Sequence, residues 1–156
     1  MPLLFIVFFV LLAVVVLDHF SYRAPRVPSV LGDWGSSAPS DPRVAVAAMM
    51  CAIAAEDGPL TAEEERHILG LLMSKAAMEA SAARLCLTGG RRVARGLRGD
   101  LNSRLHQLIS PIERQCSHEE KQDVVDMLHI IAGRSAEHLG PVRDGLGRVS
   151  ASLLAG

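Results

Sequence analysis

The chain opens with a long apolar run. Residues 3–17 read LLFIVFFVLLAVVVL without one polar side chain, and the first basic residues, Arg23 and Arg26, come after the run. Basic residues collect on the cytoplasmic side of membrane spans. We therefore expect residues 1–22 to be an uncleaved transmembrane anchor, with the N terminus outside and the rest of the chain in the cytoplasm.

The apolar run is short for a membrane span. A helix rises about 1.5 Å per residue, so the run covers less than the hydrocarbon core of about 30 Å, and Phe20 and Tyr22 would complete the crossing at the interface. A cleavable signal peptide is the alternative. Such a peptide normally carries basic residues before its apolar stretch, and this chain has none there.

The pattern changes twice more after the apolar run. Residues 23–40 are rich in Pro, Gly and Ser, which predicts a linker. Residues 41–156 then form the predicted folded domain. Asp41 and Pro42 are typical of a helix start, and the apolar run of residues 44–55 has no polar face, which predicts a central helix surrounded by others.

The rest of the domain shows helical periodicity, and no segment alternates long enough to make a strand. We predict an all-α fold, a compact irregular bundle of about five helices. The second helix begins at the capping-box residues Thr61 and Glu64 and ends by Gly89 and Gly90. The further elements are a helix over residues 92–109, a turn around Ser110 and Pro111, a helix begun by the capping box of Ser117 and Glu120, and a last helix from Gly140.

The composition and the net charge of the chain do not indicate a particular binding partner. The formal net charge is -1, only 4% of the residues are aromatic, and the three cysteines are widely spaced. The charge and the low aromatic content do not favour nucleic-acid binding. The cysteine spacing does not favour a disulfide framework or a zinc site, and it fits reduced thiols in the cytoplasm. No phosphate-binding loop, nucleophile motif or metalloprotease motif occurs, so we do not expect an enzyme.

Five acidic residues cluster after the central helix, at Glu56, Asp57, Glu63, Glu64 and Glu65. Clustered carboxylates suit a hard divalent cation such as calcium, although the spacing is not that of an EF-hand. The turn, the capping box and the helix dipole account for each acid equally well. A cation site and a purely structural role both remain open at this point.

Four arginines, Arg91, Arg92, Arg95 and Arg98, lie in a stretch with several glycines. Their spacing puts Arg91, Arg95 and Arg98 on one face of a helix. Such a face suits anionic lipid or a partner protein, and a simply solvated face is the alternative. Nucleic acid is disfavoured because the stretch has no aromatic residue for base stacking.

Residues 45–72, AVAAMMCAIAAEDGPLTAEEERHILGLL, resemble the tellurite-resistance TerB family, whose signature is an apolar helix, an Asp-Gly turn and a Glu seven residues after the Asp. Asp57 and Glu64 occupy those two positions. The resemblance implies a duplicated all-helical domain with metal-ion binding at Asp57 and Glu64, where Glu56 or Glu63 would assist. The second copy, residues 128–146, lacks the Asp-Gly pair, because Ser135 and Ala136 stand in its place.

The apolar run predicts a membrane tether, and the resemblance to the TerB family implies a binding module that responds to cations in envelope stress or in metal or tellurite resistance. The resemblance also implies that the membrane is the inner membrane of a bacterium. The alternative is a non-catalytic accessory or assembly subunit of a larger membrane protein complex. In either case the expected partners are the membrane and another membrane protein or complex. A divalent cation such as calcium is a candidate ligand, and the sequence establishes no cofactor.

Overall fold

The computed structural model of the chain describes residues 39–134 and 139–155. The predicted anchor, residues 1–22, and nearly all of the predicted linker lie outside these ranges. Among the helices that the structure describes, none combines the length and the hydropathy that a bilayer span requires.

The described residues form an all-α bundle, as predicted. It has six α-helices, one more than the expected number of about five, and a short 3-10 turn, Ala55–Asp57, follows the first of them. The helices are α1 (Pro42–Ala54), α2 (Ala62–Ser74), α3 (Ala80–Gly96), α4 (Leu101–Gln115), α5 (His118–Ala132) and α6 (Leu139–Leu154).

Helix α1 is the centre of the bundle, which confirms the prediction made from its missing polar face. Every residue from Val44 to Ala54 is buried, and α2, α3, α4 and α5 all pack against the helix. The predicted start is also confirmed, because the Asp41 side chain accepts a hydrogen bond of 2.9 Å from the backbone N–H of Arg43. An N-cap of this kind satisfies a backbone donor that the first helical turn leaves unpaired.

Helix α2 begins as predicted but ends earlier than predicted. Its capping box at Thr61 and Glu64 is present, yet the helix ends at Ser74 rather than near Gly89. Ala77 adopts a left-handed backbone conformation with a φ of 50°, and the N–H of Met78 bonds back to the carbonyl of Leu72 at 3.2 Å. The left-handed residue closes the helix end, and burial of the Met78 side chain fixes the turn in place.

Helix α3 contains the two glycines that were expected to end a helix. A Cβ atom on Gly90 would lie 2.7 Å from the backbone carbonyl carbon of Ala47 and 2.8 Å from the backbone nitrogen of Ala48. The absence of a side chain therefore lets α3 approach the backbone of α1 directly. Gly89 and Gly90 serve helix packing, and the prediction of a helix end there was wrong.

The predicted third helix, residues 92–109, was also wrong at both ends. Helix α3 runs on to Gly96, and a new N-cap at Asp100 starts α4 by accepting a 2.8 Å hydrogen bond from the N–H of Ser103. Helix α4 then continues through Pro111, where a turn was expected. Proline removes one helical hydrogen bond, but Pro111 is itself buried among the apolar residues of α4, so tertiary packing keeps the helix continuous.

The last two helices agree with the sequence pattern. The capping box of Ser117 and Glu120 starts α5, and α6 packs against α4 and α5. The apolar residues that recur at helical spacing in α5 are all buried, namely Val124, Val125, Leu128, Ile131 and Ala132. Four of the five predicted apolar residues of α6 are buried as well, namely Val142, Leu146, Val149 and Leu153.

The contact at Gly90 predicts opposite effects for two glycine-to-alanine substitutions in helices. Gly90→Ala should destabilise the protein by about 1–3 kcal/mol, because the new methyl group meets backbone that cannot rotate away. Gly70→Ala, in α2, is the matched control: its Cβ would meet nothing within 4 Å, so alanine should add about 0.5–1 kcal/mol of stability. Thermal unfolding of the full-length protein measures both, and a Gly90→Ala protein as stable as the control would contradict the close contact.

Candidate functional site

The five clustered acids lie on the 3-10 turn and on the first turn of α2, and we call this segment the acidic turn (residues 56–65). Glu56 and Asp57 belong to the 3-10 turn, and the three remaining glutamates belong to the first turn of α2. Gly58 between them has a φ of 148° and open space around its missing side chain. Other residues rarely adopt that conformation, so glycine permits the change of chain direction between the acids of the 3-10 turn and the glutamates of α2.

Glu64 is engaged in closing the capping box. Its Oε2 atom accepts hydrogen bonds of 2.7 Å from both the backbone N–H and the hydroxyl of Thr61. In return the N–H of Glu64 donates to the Thr61 hydroxyl oxygen at 3.3 Å. This carboxylate therefore helps to start α2, as the structural interpretation of the sequence predicted.

Three other glutamates form ion pairs with arginines from three different parts of the bundle. Glu56 pairs with Arg104 of α4, and Glu65 pairs with Arg91 of α3. Glu63 pairs at 2.7 Å with Arg134, two residues after the end of α5. The acidic turn is thus connected by charge to helices that are distant from it in sequence.

This arrangement bears on the predicted cation site, Asp57 and Glu64 with Glu56 and Glu63. All four residues lie on the acidic turn, but Glu56 and Glu63 pair with arginines on different elements, and Glu64 closes the capping box of α2. Over residues 39–134 and 139–155, no group of three or more His, Cys, Asp or Glu side chains is placed to hold a metal ion. A cation would have to replace an arginine at Glu56 or Glu63, and its binding stays a prediction.

The sequence did not point to Arg104 or Arg134 as partners of the acidic turn. Glu56 and Arg104 are 48 residues apart, and Glu63 and Arg134 are 71 residues apart. Pairs at such separations leave no periodic signal in a single sequence. Only the relative placement of the helices reveals them.

The predicted arginine face is only partly formed. Arg92 and Arg95 are exposed on α3, whereas Arg91 is half-buried in its pair with Glu65. Arg98 lies beyond the helix, which ends at Gly96. The expectation that Arg91, Arg95 and Arg98 share one helical face was therefore wrong for Arg98, while the binding role of the four arginines stays a prediction.

The cysteine thiols are held in their protonated form. Burial raises the pKa of Cys51 to about 12 and that of Cys86 to about 11. Burial also raises the pKa of the half-buried Cys116. Because the thiolate is the nucleophile and the metal ligand, all three free cysteines are poor candidates for reactive groups.

The described residues form an all-helical domain that gathers acidic side chains on one turn and buries two of its three thiols. In comparison with known families, the family described as Tellurite resistance protein TerB matches residues 43–133. This match covers more than half of the chain, so the chain belongs to the TerB family. TerB domains are generally non-catalytic domains associated with binding and resistance, and no enzyme family is indicated. No curated protein and no solved structure matches the chain.

The raised thiol pKa values predict that stability declines in alkali. An unfolded thiol ionises near pH 9.0, whereas Cys51 in the folded protein stays protonated up to a pH of about 12. The stabilisation is therefore complete below pH 9 and is lost as the pH rises towards 12, by up to about 1.4 kcal/mol per pH unit for this thiol.

Urea unfolding at a series of pH values measures this effect. A Cys51→Ala protein should be less stable at neutral pH because of the cavity, and its stability should fall less steeply above pH 9. Cys116→Ser is a control for a less buried thiol. Equal slopes for the wild-type and the Cys51→Ala proteins would contradict the raised pKa.

Proposed function

We propose that the chain is a membrane-tethered, non-catalytic binding module that acts in envelope stress or in resistance to tellurite or another metal. The match of residues 43–133 to the TerB family carries the functional setting. The apolar run of residues 3–17, followed by Arg23 and Arg26, supports the tether. The N terminus lies outside and the helical domain lies in the cytoplasm.

The acidic turn is the binding site in this proposal, with a divalent cation such as calcium as its ligand. Asp57 and Glu64 occupy the two acidic positions of the family signature, and Glu56 and Glu63 lie beside them on the same turn. Carboxylate oxygens are the ligands that calcium prefers. Arg104 and Arg134 compete with the cation for Glu56 and Glu63, so binding is weak, with a Kd on the order of 10⁻⁴ to 10⁻³ M.

The tether predicts that the protein stays in the membrane under conditions that remove peripheral proteins. A charge in the apolar run, Val10→Arg, should release a large fraction because arginine at the centre of a span costs about 2.5–3.5 kcal/mol. A reporter at the C terminus should be active only in the cytoplasm. Activity only outside, or a mature protein that begins after residue 20, would contradict the anchor and its orientation.

The cation site predicts that calcium stabilises the protein. At several millimolar calcium, the full-length protein in detergent should gain roughly 1 kcal/mol and melt at a higher temperature by mass action. Asp57→Asn combined with Glu64→Gln should abolish the gain. Glutamine still closes a capping box, so the helix start is retained.

Two further variants make the calcium test specific. Glu120→Gln combined with Asp123→Asn removes the same charges around the capping box of α5 and should leave the gain unchanged. Arg134→Gln releases Glu63 and should increase it. If no calcium-dependent shift occurs in any variant, the acids serve only as turn, cap and ion-pair partners.

A further inference from the structure

One side of α3 faces away from the bundle and carries a continuous exposed stripe. The helix buries its small and apolar residues, including Gly90, against the other helices. The exposed side chains recur every three or four residues, which places them along one side. We call the group Arg84, Leu85, Thr88, Arg92 and Arg95 the α3 stripe.

The α3 stripe is positively charged without compensation. Residues 80–99 contain five arginines and no aspartate or glutamate. Arg91 is neutralised by Glu65, but within residues 39–134 and 139–155 no ion pair involves Arg84, Arg92 or Arg95. A chain of formal net charge -1 thus concentrates unpaired positive charge on one helix.

The α3 stripe also exposes a large apolar side chain. Leu85 is 59% exposed, more than Met73 or Ile130, the other large apolar residues exposed on the described part of the domain. It follows Arg84 directly, and it precedes Arg92 by about two helical turns and Arg95 by about three. An exposed leucine among arginines matches the chemistry of a bilayer surface, where anionic headgroups lie above the first carbons of the acyl chains.

We propose that the α3 stripe docks on anionic lipid headgroups, in the membrane to which the chain is attached. This inference rests on the proposed tether. Residues 17 and 41 are 24 positions apart, and even a fully extended segment of that length reaches only about 80 Å. Confinement near the bilayer raises the effective concentration of lipid, so a few arginines suffice for docking. Nucleic acid fits less well, because residues 80–99 contain no aromatic residue for base stacking.

The test uses the full-length chain in vesicles and an environment-sensitive fluorophore on the α3 stripe. The label is placed at Thr88→Cys in a Cys116→Ser background, where the other two cysteines are buried. The vesicles contain phosphatidylcholine alone or mixed with phosphatidylglycerol, and a quencher is attached to a fraction of the headgroups. We expect quenching in the anionic vesicles, little in the neutral ones, and loss of quenching at high salt.

Two controls define the surface. The same label at Gly147→Cys, an exposed position on α6, should be quenched much less. Arg92→Gln with Arg95→Gln should lower the ratio of docked to undocked domain by on the order of twentyfold, because each arginine near an anionic surface contributes about a factor of five. Arg114→Gln with Arg143→Gln removes the same charge from α4 and α6 and should change the ratio little.

The outcomes separate the stripe from the tether. One outcome is that the chain floats with vesicles at high salt, but the label at Thr88→Cys is not quenched in anionic vesicles. This result overturns the docking proposal and leaves the tether intact. The α3 stripe would then be free to bind protein. A chain that does not float at high salt contradicts the tether. In that case docking is tested by flotation at low salt. Flotation of the wild-type protein with anionic vesicles alone, lost in the Arg92→Gln, Arg95→Gln variant, supports docking. Equal flotation of the wild-type protein and the variant overturns it.

Discussion

The backbone contact between α1 and α3 is the constraint on which the rest of the bundle depends. Helix α1 has no polar side, so it must be covered all round, and four helices share that task. Helix α3 comes close to the backbone of α1 at Gly90, where a single methyl group would collide with α1. Because Gly90 faces α1, the apolar side of α3 faces the core and the side that carries Arg84, Arg92 and Arg95 faces solvent.

The ion pairs of the acidic turn contribute less to the stability of the domain than this core contact does. Each pair is partly exposed, and exposed pairs typically contribute no more than about 1 kcal/mol. Their main effect is orientation, since they hold the turn against α3, α4 and the end of α5. A ligand of the acidic turn would therefore act on three distant segments at once, with little change in the core.

The sequence predicted the parts of the fold that local chemistry determines. The caps at Asp41, Thr61 and Ser117 were identified because the capping side chain and the backbone donors it pairs with lie within a few residues. Gly90 and Pro111 were misinterpreted as helix ends because their usual role is to interrupt helices. Tertiary packing reversed both: a close crossing needs a glycine, and a buried environment keeps a proline inside α4.

The candidate site was predictable to a similar, limited extent. The sequence located the acidic turn and the arginines, and it offered the cap and the dipole as structural roles for the acids. It could not reveal that Arg91, Arg104 and Arg134 are the partners of these acids, because those contacts depend on how whole helices lie against each other. It also missed Arg84 and Leu85, since only the burial of α3 distinguishes its outer side from its inner side.

The complete enclosure of α1 also determines how the domain opens. Backbone amides exchange their hydrogens with solvent through local openings where a segment has few neighbours, and only through global unfolding where it has many. Helix α1 has α2, α3, α4 and α5 around it, whereas α6 packs mainly on α4 and α5 from outside. We therefore expect the slowest-exchanging amides of the described domain to belong to α1, where their exchange would report the unfolding of the bundle as a whole.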